Sequence, residues 1–214
     1  MGGSVTDWAA QMLSDMDDLD VVGRTPEDFL VVSSKSGYAF RVAVLGVKGV
    51  IQVAHVALLF AGAAKPELVV NVPSETLWSG SAINRIHSAP AAFGTLGDVS
   101  RAARTGNAVS FRNKNMQFYI GAMRQHSNVT SVSYVYENMF EVVRKIGKTL
   151  IVAVVEAYNL SAEDVRNARA RLGHFDVVVK SSSYGSITSQ AEAAAQSMGA
   201  EALMFGPLMG RLGR

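Results

Sequence analysis

Three glutamates are the strongest candidates for chemistry in this sequence. Glu137, Glu141 and Glu156 are the carboxylates of one predicted β-hairpin, and a divalent metal requires two or three converging oxygen ligands. A turn at Lys145–Gly147 would place Glu141 opposite Ile151, which makes Glu137 and Glu156 the nearer neighbours. The three residues are therefore the candidate catalytic set, with no metal-ligand set defined. The alternative is a solvated or salt-bridged surface.

Two loops rich in hydroxyl groups are candidates for binding a ligand or phosphate. They span Pro73–Gly80 and Ser181–Ser189, each between a predicted strand and a predicted helix. Ligands bind at such positions because free backbone N–H groups and the helix dipole favour anions. Helix capping uses the same residue types and is the alternative. The candidate ligand-binding residues are Ser74, Lys180, Ser182, Ser183, Tyr184 and Gly185.

One stretch near the middle of the chain combines basic and aromatic residues. Basic side chains neutralise phosphates, and exposed aromatic rings can stack on bases. The alternative is a solvated linker with its aromatic residues buried. Phe111, Phe118 and Tyr119 lie within the stretch. The candidate nucleic-acid-binding residues are Arg101, Arg104, Arg112, Lys114 and Arg124.

Composition excludes several other classes of function. The 214 residues include no cysteine, which excludes disulfides, thiolate metal sites and a cysteine nucleophile. Hydrophobic residues make up 49% and charged residues 18%, so the chain is not disordered. The formal charge of +2 does not by itself predict a nucleic-acid partner. Without a membrane span or a signal peptide, a cytoplasmic location is expected.

The sequence predicts an internal repeat. A segment beginning at Asp28 resembles one beginning at Asn138, and a near-constant offset continues with glycines at matching turns. Coincidence between two valine-rich hairpins is the alternative. We expect tandem repeats at residues 1–104 and 105–214, joined within Arg101–Asn115 and related by a pseudo-twofold axis. Identical residues at an offset of 110 are Val32 and Val142, Lys35 and Lys145, Gly37 and Gly147, Val42 and Val152, Ala43 and Ala153, and Val44 and Val154.

Each repeat is predicted to be an α/β unit with element order αββαβαβ in three layers. Trp8, Met12 and Met16 recur every four residues and predict an amphipathic helix, whose shared face would pack in the core or form a subunit interface. The hairpin turns contain Gly37 and Gly147, because glycine readily adopts positive φ.

Three further features are predicted within the second repeat. Lys145 and Lys148 flank the hairpin turn, where solvent exposure is expected. The apolar run that ends at Lys180 predicts a strand covered on both faces. Ser161 should cap the preceding helix, with Asp164 three residues later, and Gly173 should end it.

The last sixty residues resemble the back half of the Mrr-type restriction endonuclease domain. The resemblance covers Val154–Tyr158, the helix Ser161–Leu172, the strand Phe175–Lys180, the Ser/Thr/Gly segment entering an alanine-rich helix, and Gly199–Met209. It implies a restriction-endonuclease-like fold.

The same resemblance bears on catalysis. In that family an acidic residue on one strand, and a Glu or Gln two residues before a Lys on the next, hold Mg²⁺ and activate water. Here the matching positions are Val154 and Glu156, so glutamate stands where lysine is expected. The first half has no carboxylate between Asp28 and Glu67.

The expected function is therefore a DNA-associated protein with a duplicated, catalytically degenerate restriction-endonuclease-like fold. No cofactor is expected; any catalysis would be that of a Mg²⁺-dependent nuclease. The alternatives are a non-enzymatic, self-assembling scaffold or interaction protein, and a small-ligand or nucleotide-binding protein. The expected partners are nucleic acid and further copies of the chain, with no membrane.

Overall fold

The computed structural model describes residues 4–214, which form two compact units. Unit 1 ends at Asn113 and unit 2 runs from Lys114 to Arg214, so the division comes later than the one predicted after residue 104. Both units are mixed α/β. Within the described range, no helix is long and apolar enough to cross a membrane.

Unit 1 is built on a five-stranded mixed sheet. Its elements are α1 (Val5–Ser14), β1 (Leu19–Arg24), β2 (Leu30–Ser34), β3 (Ala39–Leu45), β4 (Val50–Ile51), α2 (Val53–Ala57), β5 (Leu68–Asn71), β6 (Leu77–Trp78), α3 (Gly80–Ser88), β7 (Ala92–Thr95) and α4 (Asp98–Arg104). The strand order is β1-β2-β3-β5-β7. The first three strands are antiparallel, while β5 and β7 run parallel to β3. The short strands β4 and β6 form a separate parallel pair.

Unit 2 contains a second five-stranded mixed sheet. Its elements are α5 (Lys114–Gln125), β8 (Val129–Tyr136), β9 (Met139–Arg144), β10 (Leu150–Val155), α6 (Ala162–Leu172), β11 (Val177–Lys180), α7 (Ser189–Ser197), β12 (Glu201–Leu203) and α8 (Phe205–Leu212). The strand order is β8-β9-β10-β11-β12. Here too the first three strands are antiparallel and the last two are parallel to the third.

Each five-stranded sheet has one strand more than the four strands of the predicted order αββαβαβ, and unit 1 also contains the short pair β4 and β6. Sequence reasoning missed β1 and β8, which precede the predicted hairpins. Both are edge strands, and most positions of β1 are exposed. An edge strand with one solvated face carries little of the apolar signal on which sequence prediction depends.

The amphipathic helix α1 is present, but the predicted core face was wrong. Trp8 and Met12 are exposed, whereas Ala9 and Leu13 are fully buried. The spacing of four is retained, and the buried face lies one residue further along. The helix is capped by Ser4, whose side chain accepts from the N–H of Asp7.

The unit 1 sheet is covered on both faces. Val42 and Val70 belong to the same buried cluster as Leu13 of α1 and Val99 of α4. Side chains alternate along a strand, so Ala43 lies on the other face, where α2 and α3 pack together.

Unit 2 repeats this layering. Val152 and Val179 share a buried cluster with Tyr119 of α5 and Leu208 of α8. Ala153 alternates to the opposite face and is fully buried there, on the side of the α6–α7 pair. Both units therefore place the carboxyl ends of their parallel strands beside the amino ends of the covering helices.

Candidate functional site

The carboxyl ends of β10 and β11 bring several of the candidate residues together. Val155 is the partner of Lys180 in the parallel register, and Glu156 follows directly. Helix α5 reaches the same edge: the side-chain amide of Asn115 donates to Glu156 Oε1 at 3.0 Å. The hydroxyl of Tyr119 donates to the carbonyl oxygen of Lys180 at 3.1 Å. This edge is the candidate functional site of unit 2.

Lys180 is buried at this edge with only 1% of its surface exposed. Its ammonium donates to the carbonyl oxygen of Ser182 at 2.6 Å and also to that of Tyr184. Carbonyl dipoles thus replace part of the water that a buried ammonium loses. The lysine side chain holds the first turn of the following loop in place.

That loop packs against the segment between β10 and α6. Gly185 has φ +76°, and a Cβ there would come within 2.0 Å of the carbonyl oxygen of Tyr158. The side-chain oxygen of Asn159 accepts from the N–H of Ser186 at 2.9 Å. Thr188 then caps α7 by accepting from the N–H of Ala191. Capping, the alternative reading of the loop, therefore has a direct structural basis at Thr188.

The exposed side chains of this loop include Ser183 and Tyr184. Tyr184 is 75% exposed, and Tyr158 on the adjoining segment is 69% exposed. The loop and the adjoining segment therefore present hydroxyl groups and two phenol rings to solvent. The buried ammonium of Lys180 holds the loop backbone in place.

The matching edge of unit 1 is organised by Asn71. This buried residue accepts from the N–H of Val47 at 3.0 Å and donates to the carbonyl oxygens of Val47 and Pro73. It also donates to the hydroxyl of Thr76 at 2.9 Å. Ser74 lies exposed in the same loop.

The hairpin register agrees with the predicted one, because Glu141 is paired with Ile151. Glu141 is exposed and alternates with the buried Phe140 and Val142, which places it on the opposite face of β9. The hydroxyl of Ser133 donates to its carboxylate at 3.4 Å.

The other two glutamates have different partners. Glu137 lies 3.9 Å from the guanidinium of Arg171 in an ion pair, and Glu156 accepts from Asn115. Among residues 4–214 no group of three His, Cys, Asp or Glu side chains is placed to hold a metal ion. The donor set of the hairpin therefore does not fit the Mg²⁺ that the family resemblance implies.

The candidate basic residues of unit 1 make local contacts. Arg101 forms an ion pair with Asp98 at 2.7 Å, and Arg104 forms one with Asp18 at 3.0 Å. Arg112 donates to the carbonyl oxygen of Phe111 at 2.6 Å. Both ion-paired arginines remain largely exposed, so their pairs are strongly screened by solvent.

The candidate basic residues of unit 2 lie at opposite ends of one helix. Lys114 opens α5 and is exposed, while Arg124 donates to the carbonyl oxygen of Val132 at 3.1 Å. Of the interleaved aromatic residues, Phe111 and Tyr119 are buried, and Phe118 is 56% exposed.

Sequence reasoning missed one basic cluster in unit 2. The β9–β10 turn and the end of α8 are joined by Asn128, whose side-chain amide donates to the carbonyl oxygens of Ile146 at 3.0 Å and Leu212 at 2.8 Å. The two segments are more than sixty residues apart in the sequence, so no local pattern reveals their contact. Five basic residues are brought together there: Arg144, Lys145, Lys148, Arg211 and Arg214.

Comparisons with protein-family models, with curated proteins and with solved structures give no match for this chain. Its function is therefore inferred from its residues and their geometry.

Proposed function

We propose that this chain is a DNA-associated protein made of two fused copies of a restriction-endonuclease-like unit that has lost the nuclease centre. The observation that carries the proposal is the common strand order and direction of the two sheets. In each, three antiparallel strands are followed by two strands parallel to the third.

The registers support the same origin for the two units. Leu30 pairs with Val42 in unit 1, and Phe140 pairs with Val152 at positions 110 residues later. Gly37 and Gly147, also 110 apart, have φ +86° and +89° in the two hairpin turns. Unrelated sequences have no reason to reproduce a pairing register and a turn conformation at one constant offset.

A less expected contact also recurs. In unit 1 the carboxylate of Glu67 accepts a hydrogen bond from the backbone N–H of Arg41 at 2.9 Å. In unit 2 the carboxylate of Asp176 accepts one from the N–H of Ile151 at 2.7 Å. Each acid sits just before the fourth strand of its sheet and fastens that strand to the third. Recurrence of a side-chain contact favours duplication over convergence of two general α/β units.

The proposed loss of nuclease chemistry rests on the position of the carboxylates. Glu156 stands where the family resemblance calls for lysine, and its carboxylate is engaged by Asn115. Glu141 lies opposite Ile151 on the hairpin, away from the strand end that holds Glu156. We therefore propose that the chain binds DNA without cutting it.

The proposal is tested by measuring binding and cleavage separately. Fluorescence anisotropy with a labelled duplex should give binding that weakens as salt rises, because phosphate contacts release counterions. Incubation of plasmid DNA with the protein and Mg²⁺ should leave it uncut. Absence of DNA binding at low salt would refute the proposal. Cleavage abolished by Glu156→Ala or Glu141→Ala would refute the loss of the nuclease centre.

Self-assembly is a second candidate function, favoured by apolar side chains on the outer faces of α1 and α5. Trp8 is 47% and Met12 39% exposed, and Phe118 is 56% exposed. Light scattering with and without DNA separates the two functions. A concentration-dependent oligomer without DNA affinity would favour assembly. Trp8→Ser with Met12→Ser should then return the chain to a monomer.

A further inference from the structure

We propose that the β9–β10 turn and the end of α8 form the surface that contacts the phosphate backbone of duplex DNA. This surface, the cationic patch, consists of Lys145, Lys148, Arg211 and Arg214, which surround the buried Arg144. The inference rests on the proposed function and names the contact face for that same partner.

The geometry of the cationic patch is fixed by hydrogen bonds between its two segments. Arg144 donates to the carbonyl oxygen of Lys148 at 2.8 Å within the turn and to that of Arg211 at 3.2 Å at the end of α8. Gly147 lies directly over the Arg144 guanidinium, since a Cβ there would come within 2.7 Å of it. The side chains of the patch therefore project from a rigid base.

Hydrogen bonds also engage the last carbonyl oxygens of α8, where the negative end of the helix dipole lies. The last carbonyl oxygens of a helix carry partial negative charge. Here those of Arg211 and Leu212 accept from Arg144 and from the side-chain amide of Asn128. These donors offset part of the negative potential that the end of α8 contributes beside the basic side chains.

Two carboxylates, those of Glu201 and Asp176, reduce the positive charge of the patch. Arg211 is paired with Glu201 at 2.6 Å, and Asp176 is the carboxylate that acts on Arg144. The pKa of Arg144 is lowered by burial and, to a smaller extent, by the positive charge of Arg211, while Asp176 opposes both. Lys145 donates to the carbonyl oxygen of Ser127, a neutral partner that leaves its charge uncompensated.

Unit 1 offers a direct contrast at the corresponding turn. Lys35, which stands 110 residues before Lys145, forms an ion pair with Asp20 at 2.8 Å. The residue 110 places after Asp20 is Thr130, which has no charge. One hairpin turn is thus neutralised within the fold, and its counterpart carries an exposed positive charge available to an external anion.

Duplex DNA is the occupant that this chemistry favours. Lys145 and Lys148 are exposed ammonium groups on a narrow turn, and compact cations of this kind bind phosphates without a fixed bidentate geometry. Successive phosphates along the backbone can engage the turn and the end of α8 together. Ile146, between the lysines, is 73% exposed, which gives the tip one apolar contact for a groove wall.

The test compares two charge-reversal variants by anisotropy with a duplex of about 20 base pairs. Lys145→Glu/Lys148→Glu changes the patch, and Lys48→Glu/Lys65→Glu makes the same change of charge at exposed positions of unit 1. The patch variant should bind at least about tenfold more weakly near 100 mM salt, with a salt slope shallower by about two. The control should stay within about threefold of the wild-type affinity. Thermal melts confirm that both variants fold.

Each failure has a distinct signature. If the wild-type chain does not bind the duplex, the proposed function fails and this inference falls with it. If the wild-type chain binds and the patch variant binds as tightly, or both variants weaken equally, only this inference is overturned. Binding of vesicles containing phosphatidylserine through Lys145 and Lys148, with no effect on DNA, would assign the patch to a membrane and would also overturn it.

Discussion

The carboxylate of Asp176 accepts a hydrogen bond from the backbone N–H of Ile151 at 2.7 Å. Its other oxygen lies 3.4 Å from the imidazole of His174. The residue stands just before β11, while Ile151 belongs to β10, so the bond fastens the start of one parallel strand to its neighbour. Without the Asp176 carboxylate, the backbone N–H of Ile151 would lose its acceptor.

Asp176→Ala is therefore expected to lower the free energy of unfolding of unit 2 by about 1–3 kcal/mol. The loss combines a hydrogen bond to a charged acceptor with an amide left unsatisfied. Urea denaturation followed by circular dichroism measures it. Asp17→Ala, at an exposed position of unit 1, is the control and should change stability by less than about 0.5 kcal/mol. Equal effects of the two substitutions would contradict the assigned role.

Substitution of two glycines in unit 2 should separate backbone strain from steric conflict. Gly185 and Gly199 have φ +76° and +72°, so alanine is strained at both, at a cost of about 1 kcal/mol. Only at Gly185 would the added Cβ meet a neighbour, the carbonyl oxygen of Tyr158 at 2.0 Å; at Gly199 nothing lies within 4 Å. Gly185→Ala should therefore destabilise the protein more than Gly199→Ala in thermal denaturation. The reverse order would show that the loop does not pack on the segment before α6.

Lys180→Met is expected to loosen the loop that follows β11. The substitution removes the ammonium that donates to the carbonyl oxygens of Ser182 and Tyr184, while methionine still fills the apolar part of the space. Burying a charge is itself costly, so the net change in global stability should be modest. Amides of residues 183–187 should exchange with solvent at least about tenfold faster, which is about 1.4 kcal/mol of local opening. Unchanged exchange in this loop would mean that Lys180 does not hold it.

Much of each unit could be predicted from local pattern because the pattern has a local cause. Ser161 caps α6 together with Asp164, and Gly173 ends that helix at φ +80°, as the sequence predicts. The register of Glu141 with Ile151 was predictable because a hairpin turn fixes the pairing of its strands. These features depend on residues within a few positions of each other.

The missed features depend on tertiary contacts. Packing against the sheet determines which face of α1 is buried. The buried residues are Ala9 and Leu13, and the larger Trp8 and Met12 are exposed. Side-chain size alone favours the wrong face. The cationic patch depends on Asn128 and Arg144, which join segments distant in sequence. No spacing rule could have identified it.

His87 should make the stability of unit 1 depend on pH. Burial, with a smaller contribution from the charge of Arg112, lowers the pKa of His87 from 6.5 to about 4. Below pH 6.5 His87 is protonated in the unfolded chain, whereas in the folded chain it stays neutral until about pH 4. The free energy of unfolding should therefore fall as the pH drops through this window. The loss attributable to His87 is up to about 2–3 kcal/mol, since each pKa unit corresponds to about 1.4 kcal/mol.

Urea midpoints at pH 7 and pH 4.5 measure this loss of stability. His87→Gln should show a smaller difference between the two midpoints than the wild-type chain does. Equal pH sensitivity in the wild-type chain and in His87→Gln would show that His87 takes up its proton in the folded state as readily as in the unfolded chain.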